Sequence, residues 1–214
     1  MNNLMLFIRI ILIAVLALNC NITHAGAYEE MLEAVKKDDA PVVSQLLKRG
    51  MDANSADAQG NSWLILAARQ GSIGTLKALL DARAQIDARN ALGETALMIG
   101  AINGHLEIVK QLLARQARVN PEGWTPLMYA AVKGDVNISR LLLEHGALIN
   151  ATAENGFTAL MMAAREGHRD LVSFLLAKGA DPNLKTDNAL TALGAARAQK
   201  RNDIAELLVK AGAQ

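Results

Sequence analysis

Paired apolar residues recur along the chain at Leu46-Leu47, Leu79-Leu80, Leu112-Leu113, Leu142-Leu143 and Leu175-Leu176, closing with Leu208-Val209. The intervals are 33, 33, 30, 33 and 33 residues. A hydroxyl series, Ser62, Thr95, Thr125, Thr158 and Thr191, keeps the same step and the same three-residue deletion. Glycine stands two residues before the hydroxyl at Gly60, Gly93, Gly123 and Gly156, with Ala189 in the last unit. Two independent series sharing one period and one deletion mark an internal repeat.

Each unit has the same local grammar. In Gly123-Trp124-Thr125-Pro126-Leu127-Met128-Tyr129-Ala130-Ala131, Thr125 is placed as a helix N-cap. Pro126 follows at the first helical position, where its missing N–H costs nothing. A short alanine-rich helix then ends near Gly134. Asp135 caps a second helix whose Ile138, Leu141, Leu142 and Leu143 follow helical spacing. Gly146 can take the left-handed conformation that closes it, and Ala147 to Ala151 form an extended arm to the next turn. Neither helix is long enough to stand alone in water, so stacking must bury their faces. The expectation is all-α: a helix-turn-helix solenoid with β-hairpin-like fingers.

This grammar resembles the ankyrin repeat. Gly104-His105-Leu106-Glu107-Ile108-Val109-Lys110-Gln111-Leu112-Leu113 and Leu141-Leu142-Leu143-Glu144-His145-Gly146-Ala147 carry the likeness most clearly. It covers about six units, placed at 28–57, 58–90, 91–121, 122–153, 154–186 and 187–214. The resemblance implies a domain that binds other proteins through its turn tips and its exposed first-helix face. There are departures from the family pattern. The usual histidine after Thr-Pro-Leu is replaced by Ile65, Met98, Met128, Met161 and Gly194, so its hydrogen bonds to the adjoining turn should be missing. Arg83 and Gln116 stand where glycine closes the second helix in other units, each at a cost of about 1 kcal/mol. Between Asn120 and Gly123 the turn shrinks to Pro121-Glu122, which interrupts the row of fingers. Lys36-Lys37-Asp38-Asp39 and Lys200-Arg201-Asn202-Asp203 give the terminal units the polar character of capping repeats.

The first 27 residues read differently, as a secretory signal peptide. Arg9 precedes an apolar run of nine residues, Ile10 to Leu18, which as a helix spans about 14 Å, half a hydrocarbon core. Polar and then small residues follow, with cleavage sites after Ala25 or Ala27. An uncleaved anchor stays open, as does acylation of Cys20, although Asn19 stands where a lipoprotein signal has a small residue. With the leader removed the chain has no cysteine and tolerates an oxidising compartment. The expected location is a bacterial periplasm, with secretion or membrane anchorage as alternatives and no stable membrane insertion after cleavage.

Composition narrows the function. Among 214 residues, 22 basic side chains balance 21 acidic ones, for a net charge of +1, which argues against a nucleic-acid binder. Aromatic residues make up 3%, too few for base-stacking platforms. No phosphate loop, paired-cysteine zinc spacing or H-E-x-x-H segment occurs. His105 and His168 open second helices and read as caps, and Ser44, Ser139 and Ser173 lie within helices, a poor setting for an activated nucleophile. Met98, Met128 and Met161 recur at one position; copper(I) coordination is conceivable there, but adaptable packing suits the spacing better. No catalytic residue, cofactor or metal is expected.

What remains is a binding surface. The residue before the capping hydroxyl is Asn61, Glu94, Trp124, Phe157 and Leu190 in successive units. Trp124, Phe157 and Leu190 would form an apolar stripe suited to a protein partner, with Arg69, Lys133 and Arg165 behind it as polar contacts. The expectation is a monomeric, non-catalytic exported scaffold holding an unidentified protein. A secreted effector binding a host protein would use the same surface. An enzyme or metal-handling envelope protein is the remaining alternative.

Overall fold

The computed structural model describes residues 26–214. The proposed leader, with Arg9 and Cys20, lies outside the described residues apart from Gly26 and Ala27. Helix α1 covers 26–36 and is followed by α2 (Ala40–Lys48). Pairs then succeed one another: α3 (Trp63–Gln70) with α4 (Ile73–Asp81), α5 (Ala96–Asn103) with α6 (Leu106–Ala114), and α7 (Pro126–Lys133) with α8 (Val136–Glu144). The last pairs are α9 (Ala159–Glu166) with α10 (Arg169–Ala177), and α11 (Ala192–Ala198) with α12 (Asn202–Lys210). The odd-numbered helices from α3 to α11 pack in one inner row, and the even-numbered helices from α2 to α12 in an outer row.

Local chemistry sets each helix boundary. The side chains of Ser62, Thr95, Thr125, Thr158 and Thr191 each accept a hydrogen bond from the backbone N–H three residues on, satisfying one of the orphan donors at a helix start. The inner helices stop at Gly71, Gly104, Gly134 and Gly167, all left-handed. In the terminal pairs Asp38 (φ 54°) and Lys200 (φ 56°) take that conformation instead. Asp38 also acts across units, because its carboxylate accepts from the N–H groups of Gly74 and Thr75, at 3.1 and 2.7 Å. It thereby caps α4 from the preceding unit, where Ser72 makes no side-chain cap.

Burial explains the alanines. Ala67, Ala130, Ala163 and Ala196 are fully buried at one repeated position of the inner helices, where small side chains let neighbouring helices approach. Gly100 holds that position in α5, and a Cβ there would stand 3.1 Å from Ile108 Cγ2. Leu76, Leu79, Ile108, Leu112, Ile138, Leu142, Leu171 and Leu175 fill the space between the rows from the outer helices. Met98, Met128 and Met161 are buried as well, as packing residues are. Burying a side chain of this size contributes roughly 1.5–3 kcal/mol, and no unit could bury these faces without a neighbour.

A hydrogen-bond ladder fixes the stacking register. Asn54, Asp87, Asn120, Asn150 and Asn183 each use Oδ1 to accept from a backbone N–H in the next unit. The donors are Gln85, Arg118, Leu148, Asp181 and Gln214, at 2.7–3.0 Å. A second ladder runs at the inner-helix ends. His105 Nε2 lies 3.2 Å from the carbonyl oxygen of Arg69, and His168 Nε2 lies 2.9 Å from that of Val132. Arg201 donates to the Glu166 carbonyl at 3.1 Å. Both histidines occupy N-cap positions, but neither side chain caps its own helix; each ties its unit to the one before.

The fingers are hairpin-like in their chain reversal, with one isolated antiparallel bridge, Ala56 to Ser62, among the described residues. Two backbone bonds close each of four fingers: Asp57 N–H to Asn61 O with Gly60 N–H to Asp57 O, Asn90 to Glu94 with Gly93 to Asn90, Ala153 to Phe157 with Gly156 to Ala153, and Thr186 to Leu190 with Ala189 to Thr186. Adjacent fingers join through Ala91 N–H to Gln59 O and Asp187 N–H to Asn155 O. The shortened third finger is met instead by Arg89, whose guanidinium donates to the Glu122 carbonyl at 3.4 Å.

Candidate protein-binding surface

Each finger delivers the residue before the capping hydroxyl to the mouth of its inner helix, so the five equivalent side chains follow the inner row. Trp124 is half-buried and stands edge-on to Tyr129, with ring centroids 5.6 Å apart. Phe157 is half-buried beneath the Arg165 guanidinium, which lies 5.7 Å from the ring centroid. Leu190, also half-buried, lays its Cδ1 against Gly194, 3.0 Å from where a Cβ would be. The apolar stripe thus consists of side chains sunk partway into the surface, each braced by its own unit. That is less exposure than the sequence pattern implies, and the braces are its cause.

The basic residues differ in how far they are engaged. Arg69 donates to Asn61 Oδ1 at 3.0 Å. Arg165 pairs with Glu166 at 2.9 Å while covering Phe157. Lys133 is exposed and runs its stem across Gly104 of the preceding unit.

Toward the N-terminal end the same surface becomes a polar chain that the sequence pattern did not reveal. Asn61 Nδ2 donates to both oxygens of Asp57, at 3.1 and 2.9 Å. Asn90 Nδ2 reaches Asn61 Oδ1 at 3.0 Å and Glu94 Oε2 at 2.8 Å. Tyr129 donates its hydroxyl to Glu94 Oε1 at 3.2 Å. Burial pushes the Asp57 carboxyl up, but hydrogen bonds from Asn61 and Gln59 outweigh it and hold the group below its usual range. Burial raises the Tyr129 phenol to about 12, and the Glu94 charge adds to the effect. One signal was available: Tyr129 sits four residues after its cap, where other units carry Leu66, Ile99, Met162 and Ala195. Leu92 is a further surface feature, 80% exposed at the tip of the second finger.

Among the described residues no group of three or more His, Cys, Asp or Glu side chains is placed to hold a metal ion. A cavity of about 490 Å³ opens at the first unit, lined by Ala27, Tyr28, Met51 and Trp63 among others. Asp52 and Ser55 stand in the same lining, joined by a backbone bond from Ser55 N–H to the Asp52 carbonyl at 3.2 Å. No helix among the described residues is long and apolar enough to cross a membrane.

The family model described as ankyrin repeats (3 copies) matches residues 31–122, 83–153, 117–186 and 148–214. The chain is 30% identical over 169 residues to the putative ankyrin repeat protein YahD of Escherichia coli, matching 59% of this chain and 84% of that protein. It is 40% identical over 115 residues to the ankyrin repeat protein nuc-2 of Neurospora crassa, half of this chain but 10% of that one. A palmitoyltransferase of Lachancea kluyveri, AKR1, is 34% identical over 113 residues, 15% of its length. The chain therefore spans most of the bacterial relative and only a small part of the two fungal ones.

Proposed function

The chain belongs to the ankyrin-repeat family, and from that premise we propose that it is a non-catalytic exported scaffold that holds another protein against its concave face and finger tips. Ankyrin repeats are generally protein–protein interaction modules. The observation that carries the proposal is the bracing of Trp124 on Tyr129 and of Phe157 beneath Arg165. Anchors already fixed in the free protein lose little side-chain entropy on binding, so more of their buried area is expressed as affinity. Arg69, Lys133 and Arg165 serve as polar contacts at the rim of that patch, and Leu190 extends it. The protein acts as a single chain in the periplasm, delivered there by the N-terminal apolar segment.

The test is affinity capture from the native cell envelope, comparing the mature protein with Trp124→Ala/Phe157→Ala after matching their unfolding transitions. The expected result is a partner that the native protein retains and the double variant loses. Equal capture by both proteins would make the two rings packing residues and move the site elsewhere. A partner found only outside the cell would place the same scaffold among secreted effectors.

A further inference from the structure

The arm ladder has a fixed spacing. Its acceptors stand 31 residues before the N–H groups they bind at Gln85, Arg118, Asp181 and Gln214. Across the three-residue deletion the interval to Leu148 is 28. Two of the asparagines also donate: Asn183 Nδ2 to the Gly212 carbonyl, 29 residues on, and Asn120 Nδ2 to that of Gly146, 26 on across the deletion. In the first unit the matching groups are the Asp52 N–H and the Gly50 carbonyl. The Asp52 N–H meets no acceptor among the described residues. Both residues line the cavity of about 490 Å³, together with Ala27, Tyr28, Met51 and Trp63.

The sequence holds one more rung in register. Asn21 stands 31 residues before Asp52 and 29 before Gly50. Its neighbours keep the pattern: Cys20 aligns with Ala53, Ile86, Val119, Ile149 and Pro182, all buried or half-buried. The run Cys20-Asn21-Ile22-Thr23 parallels the arm Ile149-Asn150-Ala151-Thr152. We propose that residues 20–23 are the arm that covers the first unit. Asn21 Oδ1 accepts from the Asp52 N–H, its Nδ2 donates to the Gly50 carbonyl, and Cys20 and Ile22 lie over the cavity. That cover takes apolar surface of Tyr28, Met51 and Trp63 out of water. The reach suffices. Helix α1 begins at Gly26, about one turn earlier than the other inner helices, so no full finger intervenes. Five residues from Asn21 to Gly26 extend up to about 17 Å, and Ala27 already shares the cavity with Asp52. Cleavage after Ala25 or Ala27 would remove this arm, so the chain is kept from Cys20 onward, with Cys20 acylated or the apolar run left attached. Given the export proposed above, either form holds the scaffold at a membrane by its first unit, with Trp124, Phe157 and Leu190 in the units beyond.

The test uses the full chain expressed in a bacterium with its own leader, beside Asn21→Ala and Asn21→Asp. Intact mass of the accumulated protein is expected to show that Asn21 is retained. Amide hydrogen exchange at Asp52 should be about tenfold slower in the native protein than in Asn21→Ala, with the amides of Gln85 and Asp181 unchanged as references. Asn21→Asp keeps the acceptor, as Asp87 does in the second unit, and should stay within about twofold of native at Asp52. A first residue after Asn21 overturns the proposal. So does an Asp52 amide that exchanges equally fast in the native and alanine proteins, which would leave the cavity to another occupant, or an aspartate variant as fast as alanine. None of these readouts involves a partner, so the capture experiment with Trp124→Ala/Phe157→Ala alone decides the binding reading.

Discussion

Tyr129 and Glu94 join the fourth unit to the third through a hydroxyl-to-carboxylate hydrogen bond of 3.2 Å. The same ring gives Trp124 the surface it leans on, so a polar contact between units also positions the indole proposed as an anchor. Burial and the nearby Glu94 charge push the phenol up to about 12 from an ordinary value of 10.0. The folded state therefore favours the neutral phenol. Its contribution to stability is complete below pH 10 and is lost as pH rises toward 12. Tyr129→Phe keeps the ring and removes the titration. At neutral pH it should cost about 1.5–3 kcal/mol, the range for a hydrogen bond to a charged group. Urea unfolding from neutral to alkaline pH should show the native protein converging on the variant through that window. A constant gap would mean that the phenol does not ionise with these partners.

The arm ladder makes a second prediction. Asn120 accepts from Leu148 N–H at 2.9 Å and donates to the Gly146 carbonyl at 2.8 Å, bridging the site of the three-residue deletion. Asn120→Ala should lose both bonds and about 1–2 kcal/mol. Asn120→Asp keeps the acceptor and loses the donor, so it should fall between native and alanine. Chemical unfolding of the three proteins decides the matter, and an aspartate variant as weak as alanine would assign the stability to the Gly146 bond alone.

The period, the caps and most helix ends were legible because each is a local choice repeated in register. Thr125 needs only its own helix to act as a cap, and Gly146 only its own turn. The arm ladder shares that register, with Asn54, Asp87, Asn120, Asn150 and Asn183 at steps of 33, 33, 30 and 33. Exposed polar residues carry no hydrophobic signal, however, and the donors they meet lie a whole unit away. The Asp57–Asn61–Asn90–Glu94–Tyr129 chain was hidden for a stronger reason: it depends on side-chain directions across four units, which periodicity does not specify. The half-burial of Trp124 and Phe157 is of the same kind, decided by whether Tyr129 and Arg165 fold toward them.

Gln116 occupies a left-handed turn, φ 63°, that the equivalent Gly146 occupies at φ 85°. The bonds Gln116 N–H to Leu113 O and Ala117 N–H to Leu112 O hold the turn in place, so its side chain bears the steric cost. That cost is about 1–2 kcal/mol, of which glycine's larger entropy loss on folding would take back about 0.5–1 kcal/mol. Gln116→Gly should therefore stabilise the protein by about 0.5 kcal/mol, and Gly146→Gln should destabilise it by a similar amount. A Cβ on Gly146 meets nothing within 4 Å, so the second substitution tests the backbone alone. Opposite signs of similar size in denaturant midpoints are the expected result.

Thr75 is fully buried near the start of α4, and its hydroxyl has no hydrogen-bond partner. Its backbone N–H, by contrast, is held by Asp38 Oδ1 at 2.7 Å. An orphaned buried hydroxyl costs about 1–3 kcal/mol against an apolar group of the same shape. Thr75→Val replaces the hydroxyl with a methyl and leaves the Asp38 bond untouched, so it should raise stability by about 1 kcal/mol. Asp38→Ala, which removes the cap and leaves the hydroxyl, should instead lower it by about 1 kcal/mol. The two sites share a helix start, and the double variant tests whether they act independently: an unchanged urea slope and additive shifts would separate the buried hydroxyl from the cap. A valine variant that unfolds more readily than the native protein would show that the hydroxyl finds a partner in solution.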